Sequence, residues 1–350
     1  MMAMNNTNHQ TQACPWAPID EDLDGISGNV RKVAIRTRRY FASGVDSIRS
    51  EEWADPDGVD VFTDVPYMDD GGAGSAAAKA HALDVYLPHE ARLRGGYSLP
   101  VVIEIHGGGF VYGYKDLNRN FGTRLAAEGF AVFSLGYRLA PTVDFLEQLD
   151  DLIHAVHWLQ QHAINYPVDA ESIFIVGDSA GATLGAYLAA VMNDESLAAM
   201  LGFEATELTA KGAMFISGLF DVKPLMHPNP GPSVLPYLDE MGGALFDSFA
   251  ARVPARLLTM EGLAEIGALP PVLLTTSSDD FLESESLFFA GYLRRNGRSC
   301  EIHDFVPQKG LALGHVFPVG QVCLPESKMV FQRMKAFAYD RIVPHYMSMN

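Results

Sequence analysis

Three separated stretches carry residue types that together could transfer an acyl group. They are the serine within Gly177-Asp178-Ser179-Ala180-Gly181, the aspartate at 279 and the histidine at 315. A serine hydroxyl is a weak nucleophile, so a base must take its proton and a third group must hold that base in the right tautomer. On a sheet that carries its serine at a strand-to-helix turn, the chain order is serine, then acid, then histidine. Asp279 follows the apolar run 272–276, and His315 lies among Gly, Ala and Leu residues beyond the run 300–306. Asp280 and Glu283 are rival acids; Asp279 is preferred because Asp280 starts the next helical turn and resembles an N-terminal cap. The rival base, His303, lies inside a strand pattern and is expected to pack against a sheet face. A fourth stretch, His106-Gly107-Gly108-Gly109, offers backbone N–H groups that no side chain obstructs, as a developing oxyanion requires.

The elements that must position these groups follow from periodicity. The run 173–176 ends at a turn with glycine two residues either side of Ser179, and Ala182, Leu184, Tyr187, Leu188 and Val191 continue at helical spacing. That context favours a nucleophile-bearing turn over an ordinary strand-to-helix connection with an exposed serine. Further apolar runs at 99–105, 130–135, 212–217, 272–276 and 300–306 predict strands. Between them, 117–129, 145–166 and 282–295 read as helices, with a last helix at 326–339. The alternating stretches around 59–62 and 81–88 predict a hairpin. Such alternation predicts an α/β fold with a mostly parallel central sheet flanked by helices, and ligands beyond the carboxyl ends of its strands. Residues 221–269 break the rhythm and read as an insertion folded over the sheet, with residues 1–55 as an N-terminal arm. The core is then 56–220 and 270–350.

Composition narrows the function classes. A net charge of −18 argues against nucleic acid, anionic membrane surfaces and polyanionic substrates as partners. No apolar run approaches the ~20 residues of a membrane span, and the polar stretch 1–17 lacks a secretory pattern, so cytoplasmic residence is expected. Cys14, Cys300 and Cys323 have no metal-ligand spacing and read as reduced thiols. The basic cluster at 31–39 follows an acidic stretch and is expected to be a solvated, self-complementary face. His154, His157 and His162 on one helix read as surface or packing residues.

His106-Gly107-Gly108-Gly109-Phe110, Tyr137-Arg138-Leu139-Ala140-Pro141, Gly177-Asp178-Ser179-Ala180-Gly181, Asp279 and His315 together resemble the hormone-sensitive-lipase-like branch of the α/β-hydrolase esterases. The resemblance covers about residues 80–340. It implies a Ser179–His315–Asp279 triad, an oxyanion hole from the amides of Gly108, Gly109 and Ala180, and a mainly helical cap built from the arm and the insertion. It also implies short- to medium-chain neutral esters as substrates, with no metal or organic cofactor. Phe110, Val111 and Tyr112, which follow the oxyanion loop, are expected to line the substrate pocket. The chain departs from the family pattern at Thr142-Val143-Asp144, where a histidine and a Phe-Pro pair are usual, and at Val316, where glycine commonly follows the histidine. An amidase or arylformamidase using the same triad is the nearest alternative. A non-catalytic small-molecule receptor of the same fold is the alternative from another class, and self-association is left open.

Overall fold

The computed structural model describes residues 19–46, 49, 54–69, 75–94, 98–226 and 238–342. Residues 1–18 of the expected arm and 227–237 of the expected insertion lie outside the described residues. Eight strands form one sheet: β1 Val59–Pro66, β2 Ala82–Pro88, β3 Leu99–Ile105, β4 Ala131–Leu135, β5 Val168–Asp178, β6 Ala210–Ile216, β7 Val272–Ser277 and β8 Cys300–Phe305. Their order is β1-β2-β4-β3-β5-β6-β7-β8. The hairpin predicted around 59–88 is the antiparallel β1–β2 pair, and β2 runs antiparallel to β4. Every pair from β4 to β8 is parallel.

The reason for this arrangement is visible strand by strand. Val101, Ile103 and Ile105 of β3, with Ile173 and Ile175 of β5, belong to one apolar core. The intervening Val102, Phe174 and Val176 belong to a second core on the opposite face. Successive side chains of a strand point to opposite faces, so a continuous apolar run requires that both faces be covered. The covering helices include α1 Gly28–Phe41, α2 Arg119–Ala127, α3 Phe145–His162, α4 Ala180–Asn193, α5 Leu238–Arg252, α6 Glu283–Arg295 and α7 Pro325–Ile342. Helix α3 starts with a reciprocal capping box between Asp144 and Glu147, which fixes where the chain leaves the β4 crossover. None of the described helices is long and apolar enough to cross a membrane.

The basic cluster at 31–39 lies on α1, and its residues are not all solvated as expected. Arg38 is fully buried, whereas Arg36 pairs on the surface with Glu240 of α5. The α1 turns bury Val33, Ala34 and Thr37 together with Arg38, so the arginine lies on the packed face of the helix.

Candidate active site

The parallel strands end on one edge of the sheet, and the chemistry-bearing residues collect there. Ser179 stands between β5 and α4 at φ 52° and ψ −120°, a backbone conformation that L-residues rarely adopt. Two glycines make the turn possible. A Cβ on Gly177 would lie 2.4 Å from the Gly181 carbonyl oxygen, and one on Gly181 would lie 2.2 Å from the Ile105 oxygen. Ser179 N–H donates to the Ile216 carbonyl at 2.9 Å, tying the turn to the end of β6. The first helical bond of α4 runs from Ala182 N to Ser179 O, which leaves Ala180 N–H at the open N-terminus of the helix.

His315 Nε2 lies 3.0 Å from Ser179 Oγ, and His315 Nδ1 lies 2.9 Å from Asp280 Oδ1. The expectation that Asp279 faces the histidine is therefore corrected: Asp280 does. Asp279 is exposed and accepts Leu313 N–H at 2.9 Å and Gly314 N–H at 3.0 Å, so it pins the loop that delivers the histidine. The turn after β7 rotates the two neighbouring side chains apart, one inward and one along the surface. Asp280 also accepts Leu282 N–H at 2.8 Å, a local turn bond; contrary to expectation it is not the N-cap of α6, which is Leu282. One carboxylate thus does both jobs. Burial pushes the Asp280 carboxyl up, but the bond to His315, the imidazole's charge and the Ser217 hydroxyl hold it below the usual range. His303 lies on β8 with Thr275 as its neighbour, away from the serine, as expected.

The ring of Phe281 lies 4.4 Å from the His315 ring at 38° between planes, with half of the phenylalanine exposed. Neither this contact nor the role of Asp280 was selected from the sequence. The signal for Phe281 was its position directly after the acid, within the same turn.

The glycine loop after β3 faces Ser179 across the Asp178 carboxylate, which accepts Gly107 N–H at 2.9 Å and Asn118 Nδ2 at 2.7 Å. A Cβ on Gly107 would meet that carboxylate at 2.5 Å, and one on Gly108 would meet the Tyr112 carbonyl oxygen at 2.0 Å. His106 takes no part in proton transfer to the serine. It is buried, stacked on Tyr137 at 4.2 Å, and its Nδ1 is 2.8 Å from Gly107 O; burial pushes its pKa down to about 4. Phe110, Val111 and Tyr112, expected to line the substrate pocket, are buried against the described residues. All three are within the packed interior, with Phe110 edge-on to both Phe145 and Phe246 and Tyr112 stacked on Phe41. They back the glycine loop in this conformation because their apolar surface is already taken up by α1, α3 and α5.

Known proteins resemble this chain in sequence and in fold. Ethyl acetate hydrolase of Pseudomonas putida is 33% identical over 130 residues, covering 32% of this chain and 41% of that protein. Esterase LipI of Mycobacterium tuberculosis is 30% identical over 216 residues, covering 59% of this chain and 63% of its own length. The chain thus spans less than two thirds of these relatives. Among solved structures, esterase B of Lactobacillus rhamnosis superimposes with a TM-score of 0.76 at 24% identity, covering 89% of this chain and 96% of that one, a likeness of fold. A family model described as alpha/beta hydrolase fold matches residues 102–310, more than half of the sequence and the stretch that holds the glycine loop, the serine turn and both aspartates. The chain belongs to the alpha/beta hydrolase fold family.

Proposed function

We propose that the protein is a serine carboxylesterase that hydrolyses short- to medium-chain neutral esters through an acyl-enzyme on Ser179. The observation that carries this reading is His315 bridging Ser179 Oγ and Asp280 within hydrogen-bond distance of both. With Nδ1–H directed at the Asp280 carboxylate, the Nε2 lone pair faces the serine hydroxyl. Ser179 Oγ adds to the ester carbonyl carbon while its proton passes to His315 Nε2. The amides of Gly108, Gly109 and Ala180 receive the oxyanion. Collapse of the tetrahedral intermediate breaks the bond to the alcohol, which leaves with the proton from Nε2. Water then adds to the acyl-serine, giving its proton to Nε2, and the carboxylic acid departs as that proton returns to Ser179 Oγ.

The chain's net charge of −18 supports neutral esters over anionic ones. The names of the esterase relatives and the complete Ser–His–Asp alignment support hydrolysis over a binding-only role. The arm and the insertion are read as the cap. Hydrolysis of p-nitrophenyl acetate, butyrate and longer esters by the wild type and Ser179→Ala tests the assignment, together with labelling by a fluorophosphonate. The wild type should be active and labelled, and the alanine variant neither. Undiminished turnover in Ser179→Ala would refute the reading.

A further inference from the structure

Arg38 spends every N–H of its buried guanidinium. Nε donates to Val111 O at 2.8 Å, Nη2 to Ala140 O at 3.1 Å and to Asp22 Oδ2 at 2.9 Å, and Nη1 to Ile19 O at 3.3 Å and to Asp22 Oδ1. A buried charge is tolerated when it is paired and fully hydrogen-bonded, and Asp22 supplies the pairing. Asp22 in turn accepts the Thr142 hydroxyl through Oδ2 at 3.2 Å and through its carbonyl at 3.0 Å.

The loop that this arginine grips has unusual backbone geometry. Gly108, Gly109 and Phe110 follow one another at φ 116°, 61° and 69°. No strand ladder or helix sets the direction of amides in such a sequence, so their aim depends on what holds the neighbouring peptides. The Gly107 amide is held by Asp178, and the Phe110 carbonyl accepts Ala140 N–H at 3.0 Å and Gln148 Nε2 at 2.8 Å. These ties come from the α/β core. The next carbonyl, Val111 O, is held by Arg38 from α1. Within the loop, Gly108 O accepts Val111 N–H at 3.3 Å and Tyr112 N–H at 3.0 Å, so moving Val111 moves the Gly108 peptide.

We propose that Arg38, neutralised by Asp22, is a positioning residue for the oxyanion hole, so that the N-terminal arm forms part of the catalytic apparatus. This rests on the esterase reading given above. Because α1 also bonds to Glu240 of α5 through Asn29 and Arg36, the arm connects the insertion between β6 and β7 to the oxyanion loop.

The test compares p-nitrophenyl acetate with its thionoester, whose larger sulfur is a poorer hydrogen-bond acceptor and gains less from oxyanion donors. Losing one donor outright typically costs 10²–10³ in kcat; a misaimed pair should cost less. Arg38→Lys, which keeps the charge but not the fork, should lower kcat on the oxoester about tenfold, with KM changed less than about threefold. The ratio of oxoester to thionoester kcat/KM should fall at least about threefold in the same variant. Asp22→Asn should do the same to a smaller extent, and it carries the test if Arg38→Lys fails to fold. Loss of folded protein scales both substrates alike, so an unchanged ratio overturns the proposal at any rate. An equal fall in Arg36→Ala, which removes only the exposed pair with Glu240, would also overturn it. Failure of the esterase reading itself is a different result, a wild type inactive on the oxoester.

Discussion

Replacing Asp280 by asparagine and, separately, Asp279 by asparagine separates two neighbouring carboxylates that the turn after β7 gives to different partners. In the wild type, Asp280 Oδ1 accepts from His315 Nδ1 at 2.9 Å, which leaves Nε2 unprotonated 3.0 Å from Ser179 Oγ. An asparagine there can present its NH₂ to Nδ1, which moves the ring proton to Nε2 and removes the base. In triads of this kind that exchange lowers kcat about 10⁴-fold, which is about 5 kcal/mol of transition-state stabilisation. Asp279 instead accepts Leu313 and Gly314 amides from an exposed position. Asparagine keeps one acceptor oxygen, so with solvent screening the loss is at most about 1 kcal/mol, or about fivefold in rate. Steady-state kcat on p-nitrophenyl butyrate at pH 8, with circular dichroism melts to fix the folded fraction, should separate the variants by about three orders of magnitude. Stability supplies an independent sign. The Asp280 carboxyl is held below its usual range, so its contribution is present above the unfolded carboxyl pKa of about 3.9 and is lost as pH falls through the folded value. Asp280→Asn should therefore lower Tm at pH 7 and converge on the wild type in acid. A larger activity loss in Asp279→Asn than in Asp280→Asn would refute the assignment of the acid.

Two other perturbations follow from buried or half-buried groups beside the site. Burial, reinforced by the Asp178 and Asp84 charges, raises the Glu104 carboxyl well above its usual range, against opposing help from Ser134 and Arg49. The folded state then holds a proton that the unfolded chain releases above about pH 4.3, so stability falls as pH rises through that window. Glu104→Gln should raise Tm at pH 8 by roughly 1–2 °C for each ~1 kcal/mol relieved, with the gain shrinking toward pH 4.5. An equal loss of Tm at every pH would contradict this. Phe281 presents its ring to the imidazole that becomes cationic in the transition state, an interaction worth about 0.5–1 kcal/mol at an exposed site. Phe281→Leu should lower kcat about two- to fivefold while Phe281→Trp retains it; a change confined to KM would instead assign the ring to substrate contact.

The parts of the molecule that periodicity governs were legible from the sequence. Strands β3 to β8, the serine turn and the order of serine, acid and histidine along the strand ends follow from apolar runs and glycine spacing, and the predicted strand bounds differ from the structure by up to about five residues. The choice between Asp279 and Asp280 was not legible, because adjacent residues in a turn point apart and the sequence carries no signal for the turn's rotation. The capping reading that disfavoured Asp280 does not hold, since the N-cap of α6 is Leu282 with no side-chain cap bond; Asp280 accepts the Leu282 amide in the turn before the helix, and a carboxylate has enough lone pairs for that bond and the histidine. Arg38 was hidden by its basic neighbours. Its signal lies in helical spacing, since Ala34 precedes it by four residues and Phe41 follows by three, which places an arginine on the apolar face.

The two departures from the family pattern have physical compensations, and both bear on how the site is held. Val316, where glycine is common, adopts φ 51° and ψ 35°, a conformation that costs a side-chain-bearing residue about 1–2 kcal/mol. Its side chain is buried in the core on one face of the sheet, a transfer that contributes about 1.5–3 kcal/mol, and its amide is held by Ser217 Oγ at 3.2 Å. The turn after His315 can therefore dispense with glycine, and the valine packs the loop that glycine would leave unanchored. Thr142, in the second departure, uses its hydroxyl on Asp22, the partner of Arg38. A histidine or apolar residue at that position could not copy a hydroxyl bond to both the carboxylate and the carbonyl of Asp22. The replacement thus adds a tie between the end of the β4 crossover and the arm, the same arm whose arginine grips the oxyanion loop. What reads in the sequence as erosion of a motif is, in the folded chain, a second attachment of the arm to the site.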